Sequence, residues 1–142
     1  MERRNFLTTS CKICLLGAAG ASIVALSGCG AAYPVFKTTV LDKKISIPLE
    51  IFTTNNLQIV RPKGWYYDIA VQKTNSGYTA LLLQCTHQEN QLEINGKNGY
   101  SCSLHGSVFS KEGKVMKGPA EKDLKSYKTL VDDNKLIIML QM

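Results

Sequence analysis

The sequence predicts one all-β domain of antiparallel sheets, and three observations support this fold class. Apolar and polar residues alternate with period two over several short stretches. Turn sequences rich in Asn, Asp and Gly separate these stretches. No stretch after residue 29 has the apolar stripe of a three-turn helix. A chain of 142 residues, 44% hydrophobic and 20% charged, is long enough for one globular domain.

The first predicted strands lie between residues 45 and 83. Residues 45–51 alternate isoleucine and leucine with polar residues, and Pro48 within them favours the edge of a sheet, since proline cannot donate to the ladder. Residues 67–71 alternate again. After a turn at 75–77 the chain returns as a strand over residues 78–83 and delivers Cys85 at its end.

The remaining elements are short hairpins. Turns are predicted at 95–96, 112–113 and 132–134, each flanked by residues that favour strands. The last strand is predicted over residues 136–140. This arrangement places Cys85 and Cys102 at junctions between strands and loops.

The N-terminal residues have the pattern of an export signal. A stretch without any charged residue, 13–36, follows the positively charged residues Arg3, Arg4 and Lys12. Residues 26–29, Leu-Ser-Gly-Cys, resemble the bacterial lipobox, which implies a lipid on Cys29. Residues 3–7 also resemble the core of a twin-arginine signal. We therefore expect a signal peptide at 1–28, a tether at 29–44 and the folded domain at 45–142.

A retained membrane helix is the alternative for the same segment, because 24 uncharged residues could cross a bilayer of about 30 Å. Both interpretations place the folded domain outside the cytoplasm, on the periplasmic side of a bacterial membrane.

The charge pattern does not favour a nucleic-acid partner. The chain has 17 Lys and Arg against 11 Asp and Glu, a net charge of +6, but the excess is spread along the sequence. There is also no glycine-rich nucleotide-binding motif and no HExxH zinc-protease motif. We identify no catalytic acid, base or nucleophile.

Two short motifs contain the residues best suited to bind a metal. Cys85-Thr86-His87 and Cys102-Ser103-Leu104-His105 include both histidines of the chain and the last two of its five cysteines. Three interpretations are open. A zinc site needs the same ligand types but usually has CxxC paired with HxxxH. A disulfide between the cysteines would leave the histidines unexplained, whereas a [2Fe–2S] cluster with two thiolates on one iron and two imidazoles on the other accounts for all four residues.

At these motifs the chain resembles the Rieske iron–sulfur family, whose pattern is CxH…CxxH. Residues 99–102 and 105–107 are similar to the second cluster loop of the cytochrome bc-type members, and residues 118–120 resemble the proline loop that covers the cluster. The resemblance implies a sandwich of antiparallel sheets with a small inserted cluster-binding subdomain at about 84–120. It also implies cluster ligands at Cys85, His87, Cys102 and His105, with Gly106, Ser107 and Pro119 around them.

The departures from the bc-type pattern concern the surroundings of the cluster. The two positions that carry a bracing disulfide in that type are Asn90 and Leu104 here, and Gln88 replaces an apolar residue that shields the cluster. Phe109 replaces a tyrosine whose hydroxyl donates to a ligand sulfur, while Ser107 is retained. Fewer hydrogen bonds to sulfur predict an intermediate or low reduction potential for a Rieske centre, above that of all-cysteine clusters.

The function implied by the resemblance is one-electron transfer by a membrane-anchored exported protein. We expect it to act as a subunit or partner of a respiratory quinol-oxidising, cytochrome bc-like complex, so that its partner is that membrane complex or a cytochrome. One alternative is an electron-transfer subunit of another oxidoreductase, such as the small subunit of a molybdenum enzyme. Another, of a different class, is a non-redox lipoprotein with a structural zinc.

Overall fold

The computed structural model of the protein describes residues 33–96 and 99–140. Regular structure in these residues consists mainly of strands, together with a short 3₁₀ helix at Leu49–Phe52. In chain order the strands are β1 (Val35–Thr38), β2 (Lys44–Pro48), β3 (Leu57–Pro62), β4 (Ile69–Thr74), β5 (Gly77–Leu82), β6 (Glu93–Ile94), β7 (Tyr100–Ser101), β8 (Val108–Phe109), β9 (Val115–Lys117), β10 (Ser126–Asp132) and β11 (Lys135–Met139).

The larger sheet has seven strands in the order β1-β3-β4-β5-β10-β11-β2. Alternation places Ile45 and Ile47 of β2 in the core, while Lys44 and Ser46 are exposed, as the period-two pattern predicts. The same core includes Leu136 and Ile138 of the adjacent strand β11, together with Val60 of β3 and Val71 of β4. β2 lies at the end of the strand order, so the expectation from Pro48 of an edge strand is confirmed.

The smaller sheet has four strands, in the order β6-β7-β8-β9, and the chain enters it after β5 and leaves it before β10. Its residues lie within the expected inserted subdomain, 84–120. A second core joins this sheet to the larger one, since it combines Leu81 and Leu83 with Tyr100 and Phe109. Cys85 and Cys102 are members of the same core.

The structure differs from the sequence-based expectation at the start of the domain. Residues 35–38, expected to belong to a tether that reaches residue 44, form β1 and pair in parallel with β3. The parallel pairing is an exception to the expected antiparallel sheets. The strand predicted over 45–51 ends at Pro48, after which the 3₁₀ helix buries Phe52.

The proposed signal peptide, the twin-arginine pattern, the lipidation residue Cys29 and the alternative retained helix all lie outside the described residues. Within residues 33–96 and 99–140, no helix is long and apolar enough to cross a membrane.

Candidate metal centre

The first ligand loop, residues 85–90, follows β5 and is closed by two backbone hydrogen bonds. The Cys85 N–H donates to the Asn90 carbonyl at 2.8 Å, and the Glu89 N–H donates to the Cys85 carbonyl at 2.8 Å. Glu89 has a positive φ of 49°, which lets the chain reverse. The loop therefore holds Cys85 in the core and raises His87 to the surface.

The second ligand loop, residues 102–107, follows β7 and repeats this pattern. The Cys102 N–H donates to the Ser107 carbonyl at 2.9 Å, and the Gly106 N–H donates to the Cys102 carbonyl at 3.0 Å. Gly106 supplies the positive φ, 75°, that a side chain would disfavour. Both loops thus bond the cysteine to the residues four and five positions later.

The four candidate ligands differ in their exposure to solvent. Cys85 and Cys102 are only 1% and 2% exposed, whereas His87 and His105 are exposed. The two imidazole rings lie close together and nearly perpendicular, with centroids 5.0 Å apart and an angle of 88° between their planes. The arrangement therefore presents two sulfurs from within the protein and two nitrogens from the surface.

Hydrogen bonds favour the thiolate form of Cys102. Burial, the largest single influence, raises the pKa of this thiol, but hydrogen bonds from the backbone amides of His105 and Leu104, with smaller contributions from Cys85 and Asn90, leave that pKa below its ordinary value. The Asn90 side-chain nitrogen lies 3.9 Å from Cys102 Sγ. Since metals bind the thiolate, this environment suits a metal-ligating cysteine.

A third loop, residues 118–123, is bonded to both ligand loops. The Ala120 N–H donates to Ser107 Oγ at 3.0 Å, and Thr86 Oγ1 donates to the Lys122 carbonyl at 2.5 Å. Pro119, expected to cover the cluster, is exposed on this loop. The third loop therefore connects the two ligand loops to one another.

The surroundings fit a cluster with sulfide acceptors. Ser107 is fully buried, and although its oxygen accepts the Ala120 N–H, its own proton has no acceptor among the described residues. No three His, Cys, Asp or Glu side chains within residues 33–96 and 99–140 converge on one metal ion. A [2Fe–2S] cluster does not require such convergence, because each iron takes two protein ligands.

Support for the first loop also comes from residues that the sequence analysis did not assign to the site. The Tyr67 hydroxyl donates to the Glu89 carbonyl, and the Asp68 N–H donates to Gln91 Oε1 at 3.2 Å. Asp68 is fixed in turn by a two-bond ion pair with Arg61, at 2.7 and 2.8 Å. No sequence motif marks the contacts of Tyr67 and Asp68 with this region, because they join residues 22 and 23 positions apart.

The positions that depart from the bc-type pattern differ from it in residue type and vary in their burial. Cys85 and Cys102 are both free thiols, and neither Asn90 nor Leu104 can form a disulfide. Phe109 is fully buried and has no hydroxyl, while Gln88 is exposed. The absence of a covalent brace follows directly from these residue types.

Two loops that each combine a buried thiol with an exposed imidazole define a class of proteins with mixed-ligand iron–sulfur clusters. The chain belongs to one family of this class: the sequence profile of the Rieske [2Fe-2S] domain matches residues 33–128.

The chain is similar to several named Rieske proteins. It is 28% identical to the cytochrome b6-f complex iron-sulfur subunit of Chlorobaculum tepidum, with 98% of this chain and 76% of the relative aligned. It is 39% identical to cytochrome b6-f complex iron-sulfur subunit 2 of Synechocystis, but over only 45% of this chain and 35% of the relative. The crystal structure of the plasma membrane Rieske protein PetC3 from Synechocystis aligns with a TM-score of 0.55 at 28% identity, over 66% of this chain and 97% of that structure.

These comparisons confirm the family, the all-β Rieske fold and the cofactor expected from the sequence. The protein is an iron–sulfur electron-transfer protein related to cytochrome b6-f Rieske subunits, and its cofactor is a Rieske-type [2Fe–2S] cluster. The alternatives of a structural zinc and of a simple disulfide are therefore wrong.

Proposed function

We propose that Cys85 and Cys102 ligate one iron of the cluster and that His87 and His105 ligate the other. The depth of these side chains supports the assignment, because the thiols are buried in the second core and the imidazoles are exposed. Ser107 donates its free hydroxyl proton toward the cluster, and Gly106 and Pro119 shape the loops around it. When bound, the cluster supplies a one-electron redox couple.

The protein further acts as an exported, membrane-anchored electron-transfer subunit or partner of a quinol-oxidising, cytochrome bc-like complex. The observation that carries this proposal is the exposure of both imidazoles, with Leu104, also exposed, next to His105. A quinol or a cytochrome partner can therefore reach the histidine side of the site. The relatives named as cytochrome b6-f subunits support the kind of complex, and the export pattern with Cys29 supports the anchor.

The ligand assignment is tested with the variants Cys85→Ser, Cys102→Ser, His87→Ala and His105→Ala. We expect each variant to lose the EPR signal of the reduced cluster together with iron and acid-labile sulfide. Ser103→Ala is the matched control, since Ser103 lies exposed between two of these positions and should retain all three. A variant that kept two irons and an unchanged EPR spectrum would contradict the assignment of that residue.

The function is tested by an EPR-monitored redox titration of the purified holoprotein, together with quinol reduction in membranes. Rieske centres span about −150 to +300 mV. A midpoint that allows a membrane quinol to reduce the cluster anaerobically supports the proposal. A midpoint near the lower limit, with no reduction by quinol, would contradict it and favour an electron-transfer subunit of another oxidoreductase.

The anchor is tested by mass spectrometry of the membrane-extracted protein. We expect a mature chain that begins at a lipid-modified Cys29. An unmodified chain with its N-terminal residues intact would contradict the lipid anchor and support the retained helix.

A further inference from the structure

Asn90 contacts both ligand loops, although it belongs to the first. Its carbonyl accepts the Cys85 N–H at 2.8 Å, which closes the first loop. Its side-chain nitrogen lies 3.9 Å from Cys102 Sγ in the second loop and 3.1 Å from the Gln91 carbonyl. One residue therefore bonds the backbone of one cysteine and the sulfur of the other.

The side-chain contact uses both protons of the amide. A carboxamide has two N–H donors, and here one is directed to the Gln91 carbonyl and the other to Cys102 Sγ. Within residues 33–96 and 99–140, no other side-chain nitrogen or oxygen donates to a cysteine sulfur. Asn90 is half-buried, so solvent competes only partly for this donor.

We propose that Asn90 is a positioning residue that raises the reduction potential of the cluster by donating an N–H···S hydrogen bond to Cys102. A hydrogen bond to a ligand sulfur stabilises the more negative, reduced state in preference to the oxidised one. This proposal rests on the assignment of Cys102 as a ligand. It adds a donor to the site at a position where the sequence analysis found only the lack of a disulfide.

The neighbouring Gln91 offers a matched control. Its side chain accepts the Asp68 N–H at 3.2 Å and donates to the Leu92 carbonyl at 3.0 Å, so it anchors the same segment through bonds that do not involve a sulfur. Asn90→Leu removes the N–H donor, and Gln91→Leu removes only the anchoring bonds. A role in structure alone would affect the two variants in the same way.

The experiment measures the midpoint potential of both variants and of the unaltered protein by EPR-monitored titration. Iron content and thermal unfolding are measured on the same samples. For Asn90→Leu we expect a threefold to tenfold smaller reduction equilibrium constant, a fall of about 28 to 59 mV for a one-electron couple. For Gln91→Leu we expect less than a twofold change, with a lower unfolding temperature.

The proposal is overturned if Asn90→Leu retains its cluster and its potential changes less than twofold, or if Gln91→Leu lowers the potential equally. Should Asn90→Leu fail to hold the cluster, Asn90→Ser is judged by the same criteria, because its hydroxyl is too short to replace the amide at Cys102. Failure of the ligand assignment is a separate result: Cys102→Ser would then keep its cluster. If Asn90→Leu keeps the parental potential while Cys102→Ser holds no cluster, the role of Asn90 is rejected and the ligand assignment stands.

Discussion

Replacing Ser107 with alanine should change both the stability of the domain and the potential of the cluster. The Ser107 side chain is fully buried, and its oxygen accepts the Ala120 N–H at 3.0 Å. Its hydroxyl proton has no acceptor among the described residues. The substitution therefore leaves one buried N–H without a partner and removes one donor from the site.

The two effects can be given separate magnitudes. An unpaired buried N–H costs about 1 to 3 kcal/mol, and each kcal/mol corresponds to about 4 to 8 °C in the unfolding temperature of a domain near this size. Loss of the donor should destabilise the reduced state by about 1 kcal/mol relative to the oxidised state. Since a tenfold change in a one-electron equilibrium is 59 mV, the potential should fall by about 40 mV.

The assay combines thermal unfolding of the holoprotein with an EPR-monitored redox titration. Ser103→Ala is the control, because Ser103 lies in the same loop but is exposed. A Ser107→Ala protein that unfolds at a lower temperature but keeps the parental potential would refute the donor role. That result would leave Ser107 with a structural role only, as the acceptor that holds the third loop.

Three further substitutions test the backbone and the supports of the site. Gly99→Ala should prevent stable folding, because the added Cβ would lie 2.1 Å from the Phe109 carbonyl oxygen at a φ of 120°; soluble yield and iron content measure this. Tyr67→Phe should lower the unfolding temperature and leave the potential unchanged, since its hydroxyl donates to the Glu89 carbonyl and not to a sulfur. Asp123→Asn should lower the unfolding temperature at pH 7 but not at acid pH. The Lys114 side chain holds the pKa of this carboxyl below its ordinary 3.8, so its stabilisation exists above that pH and is lost as the pH falls through the folded-state pKa.

Each of these three predictions is checked by a control variant or by an outcome that would contradict it. Gly96→Ala meets no atom within 4 Å and should fold, although its positive φ carries some strain. Tyr66→Phe alters a side chain that is 81% exposed and should have no effect. An Asp123→Asn protein whose loss of stability were the same at pH 3 and pH 7 would show that the ion pair does not contribute as described.

The sequence predicted the hairpins well because their signals are local. Turn residues such as Asn95 and Gly96 lie where strands end, and the alternating residues of β2 pack as expected. β3 was missed because its residues 58–60 are buried consecutively and give no period-two pattern. β1 was missed because its residues pair with residues of β3 that lie 24 positions later, as Val35 does with Ile59, and no turn joins the two strands directly.

The candidate ligands were predicted for a similar reason, since two short motifs contain them all. Their surroundings were not, because spacing gives ligand types but not the depth of each side chain. The sequence places Tyr67 only in a predicted strand, and Asn90 only at a position that lacks the bc-type cysteine, yet both contact the ligand loops. Such contacts depend on how distant segments meet in three dimensions.

The two ligand loops have equal lengths but place their histidines differently. Each cysteine bonds the residues four and five positions later, at Glu89 and Asn90 in the first loop and at Gly106 and Ser107 in the second. Within these two loops of equal length, His87 follows its cysteine by two residues and His105 follows its cysteine by three. The imidazoles therefore approach from different points, with rings nearly perpendicular at 88°. Backbone hydrogen bonds and buried cysteines fix both loops, so the four candidate ligands would keep their positions during electron transfer through a bound cluster.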